Sequence, residues 1–142
     1  MRILLTGGSG FLGRHIIEQA KAKGYQVVAP RSSQMNLETM EGVDSFLSGV
    51  IKHDGPIDVM IHSAAHYGGI GIIQSEPADV FHRNSQMGLN AFEICRRFDI
   101  KKIIPIGSAC SYPGYLQGDL KEDNFWDGKL HESVEAYGFS KK

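Results

Sequence analysis

Residues 6–13 read TGGSGFLG, four glycines among eight residues, directly behind the apolar run RILL. Glycine costs roughly 0.5–1 kcal/mol against alanine inside regular structure, so such a cluster marks backbone that must turn sharply or be approached closely. Residues 2–6 read as a short buried strand. Residues 11–23 read as a helix, with Leu12, Ile16 and Ala20 on one face and Gly24 as its stop. Between them Gly7, Gly10 and Gly13 form G-x-x-G-x-x-G. At a strand-to-helix junction Gly7 allows the tight turn, Gly10 the approach of a pyrophosphate, and Gly13 close packing of helix on strand. The free N–H groups and dipole of the helix then face the phosphates. A flexible turn is the competing account of the glycines alone. The strand before them and the helix after them favour a dinucleotide site.

The rest of the chain repeats the alternation. Residues 25–29 read as a second strand. Residues 39–53 carry Met40, Val43, Phe46, Leu47, Val50 and Ile51 at helical spacing, and Gly55-Pro56 marks a turn. Residues 57–62 form a third strand, followed by a glycine-rich loop, YGGIGI. A long helix is predicted over residues 77–98, with Val80, Asn84, Met87, Ala91 and Cys95 on one face. KKIIPIGS is a fourth strand, residues 109–133 are mostly irregular, and a last helix begins near Glu135. Strands alternating with helices predict an α/β fold: a three-layer Rossmann doubly wound parallel sheet, with these strands in the order 3-2-1-4. Pro105 cannot donate to a ladder, so it marks the end of the fourth strand, a bulge or an edge.

At 142 residues the chain is long enough for one domain with its own core. Its net charge of −1 gives no argument for nucleic acid or an anionic membrane as partner. No apolar run approaches the ~20 residues that span a bilayer. Cys95 and Cys110 make neither a disulfide framework nor a metal-ligand spacing, which fits reduced thiols in the cytoplasm. The histidines likewise lack metal-ligand spacing, and no metal is expected.

A dinucleotide site that takes NAD places an acid at the end of the second strand, for the ribose 2′-hydroxyl. No acid occurs between Gly24 and Leu37, and Arg31 stands in that place. A guanidinium suits a 2′-phosphate, so NADP (NADPH) is expected rather than NAD, with Arg14 as a second candidate. A solvated surface charge is the competing account of both arginines.

Near the other end, EAYGFSK places Tyr137 and Lys141 four residues apart, on one face of a helix. An ammonium beside a phenol lowers the phenol's pKa from ~10 and suits it to proton transfer. Ser108 ends the fourth strand, where ligands bind on open α/β sheets. The glycine-rich turn, this serine and the Tyr–Lys pair together resemble the extended short-chain dehydrogenase/reductase (NAD-dependent epimerase/dehydratase) family. The resemblance implies a catalytic Ser108, Tyr137 and Lys141, with Lys141 also touching the nicotinamide ribose. SAAHYGGI, GSACSYPG, MNLETMEGVDSFL and the spacing to EAYGFSK are similar to the GDP-L-fucose synthase branch of that family. That branch uses NADPH to epimerise and reduce GDP-4-keto-6-deoxymannose.

Several residue roles follow from the resemblance. Gly7, Gly8, Ser9, Gly10, Phe11, Leu12, Gly13, Arg31, Asn36, Leu37, Ser63, Ala64, Ala65, Ile106, Gly107 and Lys141 would contact the cofactor, with Asn36 and Leu37 near the adenine. Dehydratases of the family carry an Asp-Glu pair where this chain has Ala109-Cys110. In the fucose synthase branch a cysteine there serves epimerisation, because carbons beside a 4-keto group hold acidic protons. A small buried apolar residue is the competing account of Cys110, and Cys95 reads as core. His66 is a candidate for substrate contact, and Asn84 matches a family asparagine. The substrate would be a nucleotide sugar, and the enzyme a homodimer through the helix at 77–98 and the last helix. Family members continue well beyond Lys141, so residues 1–142 are expected to be an NADP-binding Rossmann domain truncated after Tyr-x-x-x-Lys, with the C-terminal substrate domain absent. Two other readings remain open: a different NAD(P)-dependent sugar-nucleotide epimerase, such as a 4-epimerase, and a non-catalytic dinucleotide-binding module.

Overall fold

The apolar run at the N-terminus becomes the most buried strand of a parallel sheet. The computed structural model describes residues 1–142. The chain divides into two compact units: Met1–Ala65 with Gln86–Ile106, and His66–Ser85 with Gly107–Lys142. The elements, in chain order, are β1 (Arg2–Thr6), α1 (Phe11–Ala22), β2 (Gln26–Val28), α2 (Val43–Asp54), β3 (Val59–His62), α3 (Gly69–Ser75), α4 (Pro77–Arg97), β4 (Ile103–Pro105) and α5 (Glu135–Lys141).

In the first unit, successive side chains of β1 point to opposite faces of the sheet. Leu4 packs with Val43 and Leu47 of α2, Met60 of β3 and Ile94 of α4. Ile3 and Leu5 pack on the other face with Ala20 of α1 and Val59 of β3. A central strand covered on both faces reads as a continuous apolar run, which is why RILL carries no polar alternation. The layers are α2 and the later half of α4 on one face, the sheet, and α1 on the other. The expected α/β doubly wound class is the observed one.

The strand order differs from the one expected. The sheet runs β2-β1-β3-β4, all parallel, rather than 3-2-1-4. Leu4 lies between Val28 on one side and Met60 on the other. The cause is the segment after β2. An outer strand beside β2 would have to come from residues 29–42, and these form turns instead. Met40 and Gly42 take left-handed backbone at φ 63° and 73°. Asn36 Oδ1 accepts from the Glu38 N–H at 2.8 Å. Asn90 of α4 donates to the Leu37 carbonyl at 2.6 Å, which fastens the turn to the helix. The chain therefore crosses through α2, and β3 joins the free side of β1. The left-handed pair also explains why α2 starts at Val43 rather than near residue 39. Pro105 falls on the edge strand β4 and faces His62.

In the second unit, the glycine-rich stretch expected as a loop contains α3. Glycine disfavours helix, but burial of Ile73 at 3% exposure outweighs propensity over one short segment. Residues 107–134 are largely irregular, held by three short 3-10 turns and a bridge between Pro113 and Leu130. No helix is long and apolar enough to cross a membrane.

Burial separates two leucine-sized substitutions. Leu4 is fully buried and Ile104 is 40% exposed. Leu4→Ala should cost about 2–5 kcal/mol in urea unfolding, and Ile104→Ala well under that. Equal costs would contradict the central placement of β1.

Candidate functional site

The chemistry-bearing residues fall into two groups, one in each unit. In the first unit, Gly7 turns the chain out of β1 with φ +72°, a conformation that L side chains rarely adopt. A Cβ there would also lie 2.8 Å from Ala64 N and Ser63 C, so the turn packs backbone to backbone on the chain leaving β3. Gly13, one turn into α1, would collide with the Gly7 carbonyl if it carried a side chain. The Gly7 carbonyl accepts from the Gly10 N–H at 3.0 Å. Gly10 caps α1 without any side-chain hydrogen bond, and the first turn of the helix holds no acid. The first N–H groups of a helix lack intrahelical partners, so an uncapped start behind close-approach glycines fits a pyrophosphate.

A groove of about 400 Å³ opens beside this turn. Of the residues expected at the cofactor, Gly7, Ser9, Arg31, Asn36, Leu37 and Ala64 line it. Met35, Glu38 and Met87 line it too, and none of them was expected at the cofactor. Arg31 is exposed, and its N–H is held by Gln34 Oε1 at 3.0 Å. Gly8, Gly10, Phe11 and Gly13 belong to the turn and helix start rather than to the groove lining. Leu12 turns its side chain into a separate apolar groove with Ile3, Ile16 and Ile104. Ser63, Ala65 and Ile106 do not line this groove. Ser63 instead meets Gly7 through its backbone, and the Ile106 N–H donates to the His62 carbonyl at 2.9 Å.

A buried pair braces this region. Thr6 Oγ1 lies 2.9 Å from His62 Nδ1 and accepts from the Ala64 N–H at 3.3 Å. Both side chains are almost wholly buried, at 2% and 4% exposure. A strand-ending threonine opposite a strand-ending histidine was the available signal for this pair, and only the register between β1 and β3 gives it meaning.

In the second unit, Ser108 lies three residues beyond β4 instead of ending it. It caps the 3-10 turn Ala109–Ser111, with Oγ accepting from the Cys110 N–H at 3.1 Å. Its hydroxyl proton is left to point elsewhere. Ser111 is fully buried, and its hydroxyl donates to the Gly138 carbonyl of α5 at 3.0 Å. Gly138 meets the Cys110 carbonyl so closely that no side chain would fit. These contacts bring the Ser108–Cys110 turn onto the helix that carries Tyr137 and Lys141. Gly107 leads into the turn. Cys110 is partly exposed, whereas Cys95 is buried and its thiol lies 3.5 Å from the sulfur of Met60, as a core residue.

The electrostatics differ from the sequence argument. Tyr137 is pushed above the ordinary phenol value by burial, then by the Cys110 thiol and the Tyr67 phenol. Burial also pushes Lys141 down. The Lys141 ammonium lies over the Tyr137 ring, 5.9 Å from its centroid, rather than lowering the phenol's pKa. Desolvation of both groups outweighs the helical spacing that suggested a simple ion–phenol pair. Tyr67 packs against Tyr137 with ring centroids 5.3 Å apart. His66 stands 3.4 Å from Asp79, and Arg83 lies 3.6 Å from the same carboxylate, so the protein supplies its own cation there.

Comparison with known proteins points one way. The profile of the NAD dependent epimerase/dehydratase family matches residues 3–142. A GDP-L-colitose synthase of Yersinia pseudotuberculosis is 33% identical over 141 residues, covering 99% of this chain and 44% of its own length. A GDP-L-fucose synthase of Azorhizobium caulinodans is 31% identical over 140 residues, covering 99% and 43%. The crystal structure of a GDP-L-fucose synthetase from Naegleria fowleri bound to NADP superposes with a TM-score of 0.78 at 25% identity, covering 99% of this chain and 40% of that one. The chain spans less than half the length of the curated relatives it matches.

Removing the buried Ser111 hydroxyl should loosen the turn from α5. Ser111→Ala is expected to cost about 1–3 kcal/mol, read by thermal or urea unfolding. A neutral effect would mean that the Gly138 contact alone holds the two together.

Proposed function

The chain belongs to the NAD dependent epimerase/dehydratase family, and we propose that the whole protein is an NADP-dependent epimerase/reductase of GDP-linked 4-keto-6-deoxy sugars. The reaction we assign is that of GDP-4-keto-6-deoxymannose going to GDP-L-fucose. The observation that carries this reading is the grouping of Ser108, Cys110, Tyr137 and Lys141 on one turn and one helix, tied by Ser111 and Gly138. A module that only bound a dinucleotide would have no use for it.

Ser108 accepts a hydrogen bond from the Cys110 N–H and so keeps its own proton for a substrate oxygen. It orients the 4-keto oxygen. Tyr137 is held neutral by its surroundings and gives its proton to that oxygen as the carbonyl becomes an alcohol. The phenolate left behind is balanced by Lys141. Cys110 accounts for the epimerising half: its thiolate takes a proton from a carbon beside the 4-keto group, and a second acid returns one to the opposite face. Its partial exposure fits contact with a substrate. The cofactor, when bound, supplies the hydride for the carbonyl carbon. The uncapped helix start, the glycine turn and the groove lined by Arg31, Asn36 and Leu37 would hold it. Arg31, with no acid preceding it after β2, favours the 2′-phosphate of NADPH.

We further assign a homodimer through α4. Within the first unit that helix exposes Leu89 and Phe92 at 68% and 56%. Large exposed apolar side chains grouped on one element mark an interaction surface.

Two measurements check the assignment. A charge-assisted hydrogen bond to the 2′-phosphate is worth ~1.5–3 kcal/mol. Calorimetry should therefore show NADPH binding at least ~10-fold tighter than NADH, and Arg31→Ala should remove most of the difference. Equal affinities in the parent would sink the NADP preference. With the full-length enzyme, Tyr137→Phe should abolish most reduction while leaving NADPH affinity near the parent value. Cys110→Ser should slow exchange of the protons beside the 4-keto group and spare hydride transfer to an already epimerised substrate. Parent-like turnover in Tyr137→Phe would remove the tyrosine from the mechanism.

A further inference from the structure

We propose that Tyr67 is a positioning residue for the Tyr137 phenol, stacked against it and held there by a buried Asn84 clamp on the adjoining residue. The inference rests on the reading of Tyr137 as the proton donor. The two rings lie 5.3 Å apart at 52°, inside the range where aromatic side chains attract beyond simple burial. Tyr67 is 60% exposed, so its ring serves as the cover in this pair rather than as core.

Loop side chains are ordinarily free to move, and Tyr67 sits in the short stretch between β3 and α3. Here the backbone beside it is fixed from both sides. Asn84 Oδ1 accepts from the His66 N–H at 2.9 Å, and Asn84 Nδ2 donates to the His66 carbonyl at 2.9 Å. A third bond, Nδ2 to the Val80 carbonyl at 2.8 Å, fixes Asn84 to its own helix. Asn84 is 1% exposed on the apolar face of α4. A buried amide costs free energy unless its hydrogen bonds are met, and these three meet them. The clamp explains why an asparagine stands among the core residues of that face. It holds the residue immediately before Tyr67.

The groups facing Tyr137 are the Cys110 thiol, the Tyr67 phenol and the Lys141 ammonium. Two of the three disfavour a phenolate and act in the same direction as burial. A proton donor must arrive protonated, and the Tyr67 contact favours that form. The structure therefore gives Tyr67 an effect on proton transfer without any need to touch substrate.

The test uses this 142-residue chain with its five tyrosines labelled with carbon-13 at Cζ, titrated by NMR. Tyr67→Phe keeps the ring and deletes the phenol; Tyr67→Leu deletes the ring. The Tyr137 midpoint should fall in Tyr67→Phe and fall further in Tyr67→Leu, while the Tyr25 midpoint stays put and the amide spectrum stays folded. A fall in Tyr67→Leu alone assigns the effect to ring cover and still supports the proposal. An unmoved or raised midpoint in both variants overturns it. In the full-length enzyme, the alkaline limb of kcat should move down in pH in step with the midpoint. Parent-like turnover of Tyr137→Phe would overturn the proton-donor reading while leaving the titration shifts in place, so the two failures are distinguishable.

Discussion

Everything in the first unit is arranged around the backbone contact between the turn after β1 and the chain leaving β3. Gly7 meets Ser63 and Ala64 with no room for a Cβ. Thr6 and His62 then join the two strand ends through a buried hydrogen bond. β1 sends its crossover to β2 on one side, and β3 leads to β4 on the other. The crevice of an open α/β sheet lies at the point where the connections diverge, outside the carboxyl ends of the strands. The groove lined by Gly7, Arg31, Asn36 and Leu37 is that crevice. Its depth depends on how closely the two backbones approach, and a side chain at Gly7 would separate them.

Part of this was legible in the residues. The glycine spacing and the buried RILL strand identified the strand-turn-helix unit, because a run of apolar residues ending in close-packed glycines has few other uses. Arg31, Asn36 and Leu37 do line the groove. The strand order was not legible. It depends on whether residues 29–42 pair as a strand, and that was decided by an Asx turn at Asn36, left-handed backbone at Met40 and Gly42, and the reach of Asn90 from a helix more than fifty residues away. No local pattern carries such a contact. The α3 helix was hidden for a similar reason: burial of one isoleucine overcame two unfavourable glycines, Gly69 and Gly71.

The grouping of Ser108 and Cys110 with Tyr137 and Lys141 shows a different limit. Spacing alone gave Tyr137 and Lys141 one helix face, which α5 bears out. It could not give the dielectric around them. Both groups are partly withdrawn from water, and desolvation moves a phenol up and an ammonium down. The neighbours that add to this, Cys110 and Tyr67, come from segments distant in sequence. Ser111, which the sequence pattern passed over, makes the grouping possible by holding the Cys110 turn to the helix.

We propose that the groove of this chain takes NADPH through the glycine turn and Arg31. The most direct measurement is an amide chemical-shift titration of the 142-residue chain with NADPH. The largest changes should cluster at Gly7–Gly13 and at residues 31–38, with little change along α2. Changes scattered over the surface, or none at saturating nucleotide, would contradict it.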